Sequence, residues 1–219
     1  MLASLTCAGA KAQCTARPLP FTEPFATNPL QACTPTLGGW TNTSATSGAG
    51  WWVPGTNYAG GAIPEIEAYG DQANGGVSET ITLTSPPINT NSVSTYTLQF
   101  KHNLYLTNSA ASGSGSITLK VETSQDKVNW TQHHTASYNA TPSLTSVMQE
   151  IRVLVINGNT NDSTYIRYSI SGVLFKVWGW EIDNVIVQSG GSTGVKDLYG
   201  TSLMVAPNPF QESLKVHCA

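Results

Sequence analysis

The sequence predicts an all-β fold, a two-sheet antiparallel jelly-roll sandwich. Three observations carry that prediction. Strand-length runs of alternating apolar and polar residues recur along the chain, separated by Gly, Asn, Ser and Pro. No segment shows the three-to-four-residue apolar spacing of an amphipathic helix. Only 11% of the 219 residues are charged, about half the usual share, so Ser, Thr, Asn and Gly must cover the surface.

Residues 21–25 open the domain, and residues 79–84 alternate before stopping at Ser85-Pro-Pro87. Residues 94–106 make the longest run, with Tyr96, Leu98, Phe100, His102, Leu104 and Leu106 on one face. On that face His102 is a core histidine hydrogen-bonded to a neighbouring strand. Residues 116–123 turn Ile117, Leu119 and Val121 inward, and residues 126–131 continue after a turn. Residues 147–156 and 164–171 are further strands, and residues 174–187 close the set. About eight antiparallel strands in about 170 residues is the content of a two-sheet sandwich.

The closing strand carries a parity conflict. Trp178, Trp180 and Ile182 share one face and are assigned to the core, whereas Val185 and Val187 belong to the other. Both sets reach the core if one extra residue sits at Asp183-Asn184, a β-bulge. The alternative is a strand apolar on both faces. A bulge there would also free carbonyls and turn Asp183 sideways, giving oxygen ligands suited to a hard cation.

Residues 38–76 read differently, as a long irregular segment rich in Gly, Trp, Thr and Asn. Loops of that length commonly serve function. Trp51, Trp52 and Tyr58 are the candidate ligand-binding residues, because sugar rings have apolar faces that stack on exposed aromatic rings; for Trp51 and Trp52, plugging the open end of the sandwich is the alternative. Trp40 is assigned to plugging the open end of the sandwich. In the same segment Glu65 and Glu67, two apart, project to one face of a strand and are weak candidates for catalysis, the alternatives being a metal or loop-anchoring role or plain solvent exposure. His133 and His134 point to opposite sides and do not suit one metal.

The net charge of −3 and the lack of a Lys/Arg cluster argue against nucleic acid. No apolar run reaches the roughly 18 residues of a membrane span. Ala10-Lys-Ala12 has the small-x-small form that precedes a cleavage site, so residues 1–13 read as a signal-peptide remnant that would carry Cys7 away. Export permits a Cys14–Cys33 disulfide, with two free thiols as the alternative. Cys218, in a terminal His-Cys-Ala, reads as part of an interrupted frame. The domain is thus placed at residues 18–188, a linker at 189–202 and a short further unit at 203–219.

The ordered motifs Phe21-Thr-Glu-Pro-Phe25, Gly39-Trp-Thr41, Gly50-Trp-Trp52, Leu83-Thr-Ser-Pro-Pro-Ile88 and Trp180-Glu-Ile-Asp-Asn-Val-Ile-Val187 resemble cleaved-adhesin or choice-of-anchor modules, jelly rolls related to MAM domains. That resemblance implies a structural calcium held by Glu23 and Asp183, with Glu65 and Glu67 as possible additions. The tail Leu203-Met-Val-Ala-Pro-Asn-Pro-Phe-Gln-Glu-Ser-Leu-Lys-Val216 resembles the start of a type IX secretion sorting domain, cut short at Ala219. Laminarinase-type hydrolases, also jelly rolls, use Glu-x-Asp-x-x-Glu, and here Tyr69 and Gly70 stand where the third carboxylate would be. The expectation is a secreted or cell-surface, calcium-stabilised module that binds an extracellular glycan or surface protein. The alternatives are a hydrolase of glycans, esters or lactones, and a structural spacer.

Overall fold

The computed structural model describes residues 14–34, 37–70, 78–106, 115–139, 147–158 and 163–190. The expectations for residues 1–13, for residues 203–219 and for nearly all of the 189–202 linker lie outside the described residues.

Among these residues the chain forms eleven strands and one 3-10 turn. The strands are β1 (Phe21–Glu23), β2 (Thr41–Asn42), β3 (Gly50–Trp52), β4 (Ile66–Tyr69), β5 (Ser78–Thr84) and β6 (Thr95–Leu106). They continue as β7 (Ser116–Ser124), β8 (Thr131–Asn139), β9 (Val147–Asn157), β10 (Tyr165–Val173) and β11 (Val177–Ser189), the turn at Leu174–Lys176 preceding the last. The front sheet runs β3-β4-β11-β6-β9, with β1 paired to the C-terminal half of β11. The back sheet runs β2-β5-β10-β7-β8. Every paired strand is antiparallel, and the protein is a two-sheet jelly-roll sandwich.

Period-two patterning explains why these segments are strands. Leu98, Phe100, His102, Leu104 and Leu106 of β6 and Ile117, Leu119 and Val121 of β7 are buried between the sheets, while their odd or even neighbours face outward. Burying such a side chain contributes about 1.5–3 kcal/mol, so the inward stripe fixes register. Tyr168 of β10 sits at the centre, with ring centroids 5.1 Å from Phe100, 6.2 Å from Trp180 and 6.3 Å from Trp40. Trp40 is buried, as assigned from the sequence.

The parity conflict in the closing strand resolves as a bulge. Asp183 pairs with Lys101 and Ile186 with Gln99, so three steps on β11 match two on β6. Asn184 takes φ 50°, and Ile182, Val185 and Val187 are all buried. A second bulge lies at the other end of the strand, where Val177 pairs with Leu106 and Gly179 with Tyr105. It throws Trp178 outward, so that ring is 61% exposed rather than in the core.

Two further expectations are corrected. Residues 126–130 are a turn closed on Asp126, whose Oδ1 accepts hydrogen bonds from the Val128 and Asn129 N–H groups at 2.8 and 2.7 Å. The strand follows as β8, an edge strand whose Thr-Gln-His-His-Thr-Ala-Ser run lacks an apolar stripe, its side chains exposed or half-buried on both faces. The irregular 38–76 segment holds three short strands, β2, β3 and β4, which extend both sheets. Cys14 and Cys33 form a disulfide. Gly39 passes against it with φ 86°, and a Cβ there would stand 2.6 Å from the Cys14 sulfur.

Candidate functional site

The outward face of the front sheet collects what the core rejects. Ile66 and Ala68 of β4, His102 and Leu104 of β6, and Trp180 and Ile182 of β11 point inward. The residues between them must therefore point out. Cross-strand pairing then lays these three in one row with Trp52: Trp52 opposite Glu67, Glu67 opposite Glu181, and Glu181 opposite Asn103. Tyr69 and Tyr105 belong to the adjoining row, Tyr105 opposite Gly179.

A loop between β3 and β4 walls this face on one side. Glu65 holds it: its carboxylate accepts hydrogen bonds from Thr56 Oγ1 (2.7 Å), the Tyr58 N–H (2.9 Å) and the Ala59 N–H (2.8 Å). Lys101 Nζ donates to the Gly60 carbonyl at 2.6 Å. Gly61 packs on the Asp183 carboxylate so closely that no Cβ fits. Tyr58, fixed at the loop's crest, is 56% exposed.

Trp178 stands between two clefts and lines both. One, of about 500 Å³, is lined by Tyr58, Asn103, Tyr105, Gln149, Trp178 and Glu181. The other, of about 470 Å³, is lined by Trp52, Glu67, Tyr69, Gly70 and Trp178. Trp52 is 48% exposed and meets Tyr69 edge-on at 6.0 Å. A cavity of about 550 Å³ also opens between β6 and β9 on one side and β7 and β8 on the other, walled chiefly by hydroxyl and amide groups. It has no exposed ring on which a ligand could stack.

The acidic floor of the two clefts is desolvated. Glu67 and Glu181 are buried, and Asn103 Nδ2 donates to Glu181 Oε2 at 2.8 Å. Burial raises the Glu67 carboxyl to about 7; the charge of Glu181 adds to the rise and a hydrogen bond with the Trp52 side chain opposes it. Burial likewise raises Glu181 to about 7, against the hydrogen bond from Asn103. Asp183 rises to about 6 through burial, opposed first by the Asn184 N–H at 2.6 Å.

The residues expected from the sequence separate clearly. Trp52, Tyr58 and Glu67 meet on this face. Trp51 does not: it is one residue out of phase, points into the core and packs on Trp180 at 5.6 Å. Glu65 has its carboxylate filled by three donors and serves the loop. Glu23 and Asp183 do not converge. Glu23 lies opposite Val185 on the core side, its oxygens taken by the Phe25 N–H (2.9 Å) and Trp40 Nε1 (3.1 Å), while Asp183 faces outward. Among the described residues no three His, Cys, Asp or Glu side chains gather as a metal site. His102 is buried, as read from the sequence. Its Nδ1 faces Trp180 Nε1 at 3.4 Å, and burial lowers the ring to about 4.

Sequence reasoning missed Trp178, Glu181, Asn103 and Tyr105. For Trp178 a signal existed: Gly179 within an otherwise apolar strand marks a bulge. The others lie on the polar face of strands whose apolar face drew the assignment.

No family model matches the chain, and no curated protein matches it. Solved structures of similar shape include the K1 cleaved adhesin domain of Lys-gingipain from Porphyromonas gingivalis W83. It is 14% identical, with 69% of this chain and 91% of that one covered, at a TM-score of 0.47. A family 61 carbohydrate-binding module solved with β-1,4-galactotriose is 14% identical over 69% of this chain and 88% of that one, at a TM-score of 0.40. A family 27 module of Caldicellulosiruptor saccharolyticus solved with mannohexaose is 11% identical over 63% and 81%, also at 0.40. At these values the similarity extends no further than the sandwich plan.

Proposed function

We propose that this chain is an exported glycan-binding module that seats a sugar chain on the outward face of its front sheet, across Trp178. One observation carries the reading: five exposed aromatic rings, Trp52, Tyr58, Tyr69, Tyr105 and Trp178, surround a floor of buried polar groups on one side of one sheet. Exposed rings scattered singly need no explanation, whereas rings gathered around convergent polar groups mark a binding site. Rings stack on the apolar faces of sugars, and Asn103, Glu67 and Glu181 supply hydrogen bonds to hydroxyl groups. Export is supported by the Cys14–Cys33 disulfide, which persists in oxidising compartments.

Affinity electrophoresis through gels containing galactan, mannan, xylan or β-glucan tests the proposal. Retardation in at least one gel, weakened by Trp178→Ala, is the expected result. Unretarded migration in all of them counts against it.

Calcium is left aside in this reading, which rests on the aromatic face alone. The hydrolase alternative gains a specific observation in the Glu67–Glu181 pair, developed next.

A further inference from the structure

We propose that the same face also cleaves the glycan it holds, as a retaining glycosidase in which Glu67 is the proton donor and Glu181 the nucleophile. This rests on the glycan-binding reading above and goes beyond it.

Geometry comes first. The two residues are direct cross-strand partners. Their Oε1 atoms converge on the point where a Cβ on Gly179 would stand, that of Glu67 at 3.0 Å and that of Glu181 nearer still. The two oxygens therefore lie within about 6 Å of each other, twice the larger distance. Retaining hydrolysis uses carboxyl groups about 5–5.5 Å apart, and inverting hydrolysis needs about 6.5–9.5 Å to admit a water. A side chain at residue 179 would fill the space between them.

Placement comes second. Glu181 lines one cleft and Glu67 the other, with Trp178 shared by both. A chain laid across both clefts sets one of its linkages over the pair. Asn103 supplies an independent sign of a ligand. It is 5% exposed, its Nδ2 holds Glu181, and its Oδ1 is buried with no partner, at a residue lining the same cleft. A buried acceptor of that kind calls for a donor, and a sugar hydroxyl supplies one.

The roles follow from the partners. Asn103 donates to Glu181 and favours its ionised form, and any charge on Glu181 favours the protonated form of Glu67. Glu67 gives that proton to the glycosidic oxygen as Glu181 attacks the anomeric carbon. The glycosidic C–O bond breaks, the sugar-ester bond to Glu181 forms, and the leaving sugar departs with a hydroxyl. Glu67, now a carboxylate, takes a proton from water, and the resulting oxygen displaces Glu181 from the anomeric carbon. One water is consumed, both carboxyls are restored, and the anomeric configuration is retained.

The test uses the full chain with Glu67→Gln and Glu181→Gln, each checked for an unchanged fold by its melting curve. Substrates are galactan, mannan, xylan and β-glucan, with reducing ends measured and the first-formed anomer read by NMR. The 2-deoxy-2-fluoro glycosyl fluorides of the matching sugars are the covalent probe. The expected results are reducing-end release that falls roughly 10²–10⁴-fold in each variant, a retained anomer, and a mass adduct on Glu181. Wild-type chain that is retarded in the gels yet releases nothing and takes no label overturns catalysis and leaves binding intact. Neither binding nor release overturns both. Release undiminished in the variants, or an inverted first product, overturns the assignment of the pair.

Discussion

Replacing Glu67 and Glu181 together by Gln removes two buried acids and keeps their shape. In the folded protein both carboxyls are raised to about 7 from an ordinary 4.5, burial being the leading cause. A folded group with a raised value binds more protons than the unfolded one. Its contribution to stability is therefore full below pH 4.5 and is lost as pH rises through 7. Between pH 6.5 and 8 the unfolded carboxyls are already ionised, so the loss comes from the folded pair alone. Each contributes on the order of 1 kcal/mol over that interval, giving roughly 1–2 kcal/mol for the two. Histidines act the opposite way, since burial lowers His102, His133 and His134. Comparing wild type with the double variant cancels them. For a domain of this size 1 kcal/mol moves the melting temperature by about 2–4 °C. The variant should therefore gain about 3–6 °C on wild type as pH goes from 6.5 to 8, measured by calorimetry. A difference independent of pH, or a variant less stable than wild type at pH 8, would refute the desolvated pair.

The remaining predictions concern single residues. Trp178→Ala should leave the melting temperature unchanged, because its ring is already 61% exposed. It should weaken glycan binding about tenfold, since a sugar covering roughly 60 Å² of indole at about 25 cal/mol per Å² contributes about 1.5 kcal/mol; titration calorimetry reads the change. Trp51→Ala removes a ring that packs on Trp180 in the core, and should cost about 3–5 kcal/mol in denaturant unfolding. Glu65→Ala strips three hydrogen bonds from the loop that carries Tyr58; limited proteolysis should then cut between residues 53 and 64, where the wild type resists. Chelator tests the expected calcium: a lowered melting temperature supports a site at Glu23 or Asp183, and an unchanged melting curve counts against it.

Much of the fold was legible because its cause is local. Alternation along residues 94–106 and 116–123 fixed their inward faces, and the clash between Ile182 and Val185 located a bulge from parity alone. Edge strand β8 was not legible, because its side chains stay exposed or half-buried on both faces and its polar run resembles a loop. The site was legible only in part. Trp52, Tyr58 and Glu67 could be named as chemistry-bearing residues. That Trp51 and Trp52 divide between core and surface depends on which face β3 offers the sheet. The partnership of Glu67 with Glu181 joins residues more than a hundred positions apart, through a register that no local pattern states. Trp178 was misplaced for a related reason: counting in twos from Trp180 fails once a second bulge intervenes.

The central claim, a sugar chain seated across Trp178, is tested most directly by the indole N–H signals of the six tryptophans in a ¹⁵N-labelled sample. Titrated with oligosaccharides of whichever polysaccharide retards the protein, the signals of Trp52 and Trp178 should shift together and saturate. Those of Trp40, Trp51 and Trp180, in the core, and of Trp130, which packs on Arg167, should hold still. Binding that moves the core signals or Trp130 while Trp52 and Trp178 stay in place would contradict it.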